Sequence, residues 1–189
     1  MSNTIYRASV FETNSSSAHS LVIRGGEADY ETVNPSSGVI IIRGGEYGTS
    51  YEKLHSFHAR ASYYAQAAFQ LLDLEQFSGY GKYNKLMRLL RIDDKSAVKS
   101  MAESIAEEYD KWSEDLKTLK KTIEEHTGCK VILDFVSLLN GYVDHQSMGY
   151  KKDDSDAAYK RANQDLKAFL FSKKSYVIIK DDSGEDDSD

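Results

Sequence analysis

The chain has 189 residues, 40% of them hydrophobic and 11% aromatic, which suits one domain with a sizeable core and is short for two. Its 24 Lys and Arg face 30 Asp and Glu, but six of those acids (Asp181, Asp182, Glu185, Asp186, Asp187 and Asp189) fall in the last nine residues, so residues 1–180 are balanced and the tail supplies the net charge of −6. A neutral body argues against direct binding of duplex nucleic acid. No apolar run approaches the roughly 18 residues of a membrane span, and the single Cys129 excludes both an internal disulfide and a Cys-based zinc cluster.

The opening MSNTIYRASV has no basic stretch followed by an apolar one, so no secretory signal is expected and the cytoplasm is the expected location. Residues 3–47 read as three strands, TIYRASVF, HSLVIRGG and GVIIIRGGEYG, separated by loops. Between the first two lies ETNSSSAHS, where Glu12, Asn14, Ser15, Ser16, Ser17 and His19 crowd one short connection. Two readings fit: an Asx or Ser/Thr turn in a hairpin, or a concave anion site of backbone N–H groups and hydroxyls beside an imidazole. The second and third strands each end in Ile-Arg-Gly-Gly-Glu, at Ile23–Glu27 and Ile42–Glu46, which a strand-terminating turn used twice explains without a duplication. The intervening EADYETVNPSSG holds the only proline, Pro35, and reads as an exposed loop.

From His55 the hydrophobic period becomes helical, with Phe57, Ala61, Tyr64, Ala68, Leu71 and Leu72 on one face. His55 and His58 are spaced i, i+3, a geometry that can hold zinc, but only Glu46 or Glu52 could complete a site, so no metal is expected. After a short helix over YNKLMRLLRI, one long helix is expected over about 96–127, capped by Ser96 and striped by Val98, Met101, Ile105, Tyr109, Trp112, Leu116, Leu119 and Ile123. His126 near its end fits the helix dipole. CKVILDF reads as a buried strand or as the start of a helix through VSLLNGYV, and a polar loop follows in which Asp144, His145, Gln146 and Ser147 suit acid–base work. A helix carrying Ala158, Ala162, Leu166 and Phe169 and a last strand, KSYVIIKDD, close the fold.

Strands at both ends with helices between predict an α+β domain over 1–180. A small, mainly antiparallel sheet from the N-terminal strands and the C-terminal strand packs with helices, and the long helix 96–127 forms an insertion. Residues 181–189 are expected to be a disordered acidic tail, since a Ser, Gly and Asp run cannot bury enough surface to fold.

Four ordered motifs, VFETNSSSAHSLVI, GGEYG with HARASYY, GYVDHQS and FLFSKKSYVII, resemble those of a family of uncharacterised tailed-bacteriophage proteins. Two departures are Thr49 after GGEYG, where the family pattern has an aromatic, and Ser172 after FLF, where it has asparagine. The resemblance groups Glu12, Asn14, Ser15, Ser16, Ser17, His19, Glu46, Asp144, His145, Gln146 and Ser147 as one composite site. The motifs carry no established activity; together with the acidic tail, the small size and the long helix, the resemblance leads to the expectation of a phage accessory protein that binds and inhibits or redirects a host protein in the host cytoplasm, such as an anti-defence inhibitor. The alternative is a nucleotide- or phosphoester-directed enzyme in which His19, His145, Asp144 and Glu46 act catalytically and Asn14, Ser15–Ser17, Gln146 and Ser147 bind the ligand. His145-Gln146-Ser147 has the His-x-Ser form used by two-histidine phosphoesterases, whereas His19-Ser20-Leu21 does not. No cofactor is indicated.

Overall fold

Alternating apolar residues in AHSLVI and YVIIK make two strands that pair side by side and seed the main sheet. The computed structural model describes residues 4–7, 18–48, 51–76, 113–143 and 162–180. Strands β1 (Thr4–Arg7), β2 (Ala18–Ile23), β5 (Glu52–Leu54) and β8 (Tyr176–Lys180) form one antiparallel sheet in the order β1-β2-β8-β5. Directly opposed residues share a face. The pairs His19–Ile179, Leu21–Val177 and Leu54–Val177 therefore turn one apolar surface inward, and every member of it is buried. The two ends of the chain meet in one sheet, and the fold is α+β.

The third expected strand goes elsewhere. Strand β3 (Val39–Arg43) runs parallel to β6 (Lys130–Asp134), with Ile40 opposite Val131 and Ile42 opposite Leu133. Both alternate strictly between buried and exposed positions. A parallel pair requires a long crossover, so no local turn announces this partner. Beyond β6 the chain is helical as well: α3 (Phe135–Asn140) starts at Asp134, whose side chain accepts from the Ser137 N–H at 3.2 Å. The strand reading of CKVILDF holds as far as Asp134, whereas the helix is confined to Phe135–Asn140 and neither starts in CKVILD nor runs on through Tyr142 and Val143. Strand β7 (Tyr142–Val143) then rejoins the ribbon, parallel to β4 (Glu46–Tyr47). Gly44 makes room for the intervening helix, because a Cβ there would lie 2.6 Å from both the Leu138 Cα and the Ser137 carbonyl oxygen.

Helix α1 (Phe57–Gln76) lies at the centre. Phe57, Ala61, Tyr64 and Ala68 are buried as their spacing predicts, but burial runs round the helix from Arg60 to Phe69, with Ser62 alone half-exposed. Ala61, Ala65, Ala67 and Ala68 keep it narrow enough for that. Arg60 is fully buried and donates to the carbonyls of Ser175 at 2.6 Å and Leu170 at 2.7 Å, to that of His55, and to Glu31 at 2.9 Å. Burial lowers its pKa and the Glu31 carboxylate opposes that shift. One buried cation thereby ties the last described helix, at Leu170, and three connecting residues, Glu31, His55 and Ser175, to α1.

Helix α2 (Glu114–Thr127) corrects the expectation of a single rod over 96–127. Ser113 has extended backbone and its hydroxyl accepts from the Leu116 N–H, so a helix begins there. Residues 96–112 lie outside those described. The expected stripe is kept in Leu116, Leu119 and Ile123, all buried, and Gly128 ends the helix in the left-handed region at φ +69°. His126 is wedged between Tyr30 and Phe171, with ring centroids 5.6 and 4.0 Å away. Burial, helped by Lys167, pulls its pKa down, the opposite of what the helix dipole alone predicts. The last described helix, α4 (Leu166–Phe171), buries Phe169, Leu170 and Phe171 completely. FLFSKKSYVII is thus core and turn. Ser172 closes α4 through its N–H to Ala168, and its hydroxyl accepts from the Lys174 N–H at 3.2 Å. Thr49, the other departure, lies outside the described residues, as does the acidic tail.

Candidate functional site

All four motifs touch α1: FLFSKKSYVII through Arg60, and the other three within two turns further along it. His19, from ETNSSSAHS, points inward from β2 because the strand alternates and Leu21 and Ile23 share its face. Its Nδ1 is hydrogen-bonded to the Tyr63 hydroxyl at 3.0 Å, and the side chains are 0% and 1% exposed. Burial pushes the Tyr63 phenol well above its usual range, so it stays protonated and can donate to a bare Nδ1 or accept from Nδ1–H. The other edge of Tyr63 meets Tyr47 of GGEYG in a T-shaped contact, centroids 5.4 Å apart. Tyr47 is likewise buried, and its pKa is pushed up to about 12, chiefly by burial and then by the Glu52 charge, against a hydrogen bond from Ser62.

Further along α1, two glutamines hold the third motif. Gln66 donates to the Leu138 carbonyl at 3.0 Å. Gln70 donates to the Val143 carbonyl at 2.8 Å and accepts from the Val143 N–H at 2.7 Å. Val143 stands beside Tyr47 in the ribbon register, and the DHQS segment leaves the described structure from it. The Gln66 Oε1 is buried without a hydrogen-bond partner among the described residues. Gly44 and Gly141 both crowd that oxygen: a Cβ on either would lie 2.3 Å from it. Tyr63 and Gln70 are seven residues apart, about 10 Å along a helix. His19 and the base of the DHQS segment are therefore anchored within two turns of one helix.

Glu46 is not part of this line. It occupies the exposed face of β4 while Tyr47 takes the buried one, so strand alternation turns the carboxylate away from Tyr63 and His19. The aromatic of GGEYG joins the histidine, and the acid does not. Asn14, Ser15, Ser16, Ser17, Asp144, His145, Gln146 and Ser147 lie outside the described residues. His55 packs on Tyr176 and His58 on Phe57. Among the described residues no three His, Cys, Asp or Glu side chains are grouped to hold a metal ion, and no helix is long and apolar enough to cross a membrane.

Tyr63, Gln66 and Gln70 were not singled out as site residues in the sequence. Their signal was available in RASYYAQAAFQ, where polar residues interleave with alanines on every side of a helix too apolar elsewhere to be a surface one. Comparison with protein-family models, curated proteins and solved structures gives no match to the chain.

Proposed function

We propose that the chain is a tailed-bacteriophage accessory protein acting on a host component, and that its working site is the composite one on α1, directed at a phosphate- or nucleotide-bearing ligand. The observation that carries this is the convergence of ETNSSSAHS, GGEYG and GYVDHQS, remote in sequence, on two turns of one helix. In this reading His19, oriented by Tyr63 at Nδ1, holds the ETNSSSAHS segment against α1 and so positions it for the ligand. Ser15, Ser16 and Ser17 supply hydroxyls and backbone N–H groups to an anion, and His145 acts as the second imidazole with Asp144 beside it. The resemblance supports a wider reading too, in which a host protein is bound and inhibited or redirected as in an anti-defence inhibitor. The two are compatible, since a host-directed protein can act enzymatically.

The test is a titration of the full chain with inorganic phosphate and then with mononucleotides, following the His19 ring resonances by NMR. Binding is expected to shift them, and Tyr63→Phe, which removes only the hydroxyl holding Nδ1, is expected to weaken it. Unmoved His19 resonances with every ligand would sink the ligand-directed reading. Affinity capture from host lysate, with and without residues 181–189 and with His19→Ala, tests the wider one. Retention of the same proteins by wild type and by His19→Ala would remove His19 from partner binding.

A further inference from the structure

We infer that the outer face of the β3–β6 ribbon docks a second copy of this chain. The inner face of the ribbon, Ile40, Ile42, Val131 and Leu133, belongs to the buried core. Strand alternation turns Val39, Ile41, Arg43, Lys130, Ile132 and Asp134 outward. Ile41 and Ile132 face each other across the ribbon and are 44% and 42% exposed. Parallel strands are ordinarily covered on both faces. β-branched side chains on a rigid strand pair also lose little freedom when covered.

The order of charges picks out the occupant. Lys130 and Asp134 stand two residues to either side of Ile132, with Val39 and Arg43 placed likewise about Ile41. A twofold axis crossing the strands at Ile41 and Ile132 lays each isoleucine on its own copy and brings Lys130 of one chain over Asp134 of the other. Val39 then covers the stem of Arg43, whose guanidinium is already 3.6 Å from Asp134. The Lys130–Asp134 and Val39–Arg43 contacts each occur twice and the two isoleucine contacts lie on the axis, as an isologous interface requires. Five residues on two strands make a strip about 17 Å long, well short of the roughly 800 Å² per partner of a standard interface. The dimer is accordingly weak and forms at high protein concentration. It does not depend on what the His19 site binds.

Sedimentation velocity on the full chain, from micromolar to near-millimolar in low salt, is expected to show monomer giving way to dimer. Ile132→Lys should stay monomeric at every concentration. Lys130→Glu, which spares the Asp134 cap of α3, should weaken association about tenfold at low salt, by turning two ion pairs into repulsions, and less at high salt. Should Ile132→Lys lower the melting temperature, Ile41→Thr keeps the strand preference and is expected to weaken association with melting unchanged. A wild-type chain monomeric throughout, or a dimer indifferent to both isoleucine variants, overturns the docking face. Association left intact by Lys130→Glu overturns the twofold.

Discussion

Gly26, the second glycine of the first Ile-Arg-Gly-Gly-Glu, and Gly44, the first glycine of the second, differ in what an added methyl group would meet. Nothing lies within 4 Å of a Cβ on Gly26, whose backbone is extended at φ −138°. At Gly44 the same atom would meet the Gln66 Oε1 at 2.3 Å and the backbone of Ser137 and Leu138 at 2.6 Å. Gly26→Ala is expected to leave stability unchanged or raise it by up to about 1 kcal/mol, through lost freedom of the unfolded chain. Gly44→Ala is expected to cost about 1–3 kcal/mol, because α3 must move off the ribbon. Urea unfolding of the two variants against wild type checks both, and equal midpoints would mean that α3 does not pack where Gly44 admits it. The repeat was legible in the sequence as two strand ends. What crowds Gly44 was not, since close approach there depends on Gln66 and Leu138, far along the chain. His19 stood out by its polar neighbours, whereas Tyr63, its partner, was hidden among 13 tyrosines and is identified only by the helix position facing β2.

Helix α2 shows the same division at the scale of an element. Its apolar stripe at Leu116, Leu119 and Ile123 follows the 3.6-residue period and was readable. Its start was not, because apolar residues at the same spacing continue upstream of Ser113 and conceal the break. The signal was nevertheless there, in a serine followed by Glu114 and Asp115, a cap with an acidic first turn. Ser113 is 2% exposed and accepts from the Leu116 N–H at 3.1 Å, so its loss leaves a donor unpaired where water does not reach. Ser113→Ala is expected to lower stability by about 1–2 kcal/mol, and Ser113→Asp to recover most of it. Chemical denaturation of both variants measures this. Indifference to both would mean that helix 96–127 runs through Ser113 unbroken in solution. The partnership of β3 with β6 was beyond such reading altogether, because parallel strands joined by a long crossover carry no turn between them.

Titratable groups of both kinds bound the stability of the whole fold, on the acid side and on the alkaline side. On the acid side, Asp29 is held below its usual value of 3.8, first by its bond to Lys174 at 2.7 Å and then by the Gly26 N–H. A lowered carboxyl pKa contributes stability that is present above 3.8 and disappears as pH falls through the folded value. His126, lowered from 6.5 by burial between its aromatic neighbours, acts in the same direction: the unfolded chain takes up the proton first, so stability declines as pH falls past 6.5. On the alkaline side, Tyr47, Tyr63 and Tyr64 are all raised above 10, chiefly by burial. There the unfolded chain loses protons that the folded one keeps, so stability drains away as pH rises from 10 through about 12, the value for Tyr47. Denaturant midpoints are therefore expected to form a plateau from about pH 7 to 10 with a descending limb on each side. Tyr63→Phe removes a group that ionises only on unfolding, so it should flatten the alkaline limb and leave the acid limb unchanged; His126→Gln should flatten the acid limb between pH 6.5 and its lower folded value and leave the alkaline one. An alkaline limb untouched by Tyr63→Phe would mean that this phenol is open to solvent, which would also detach His19 from the helix that gathers the three motifs.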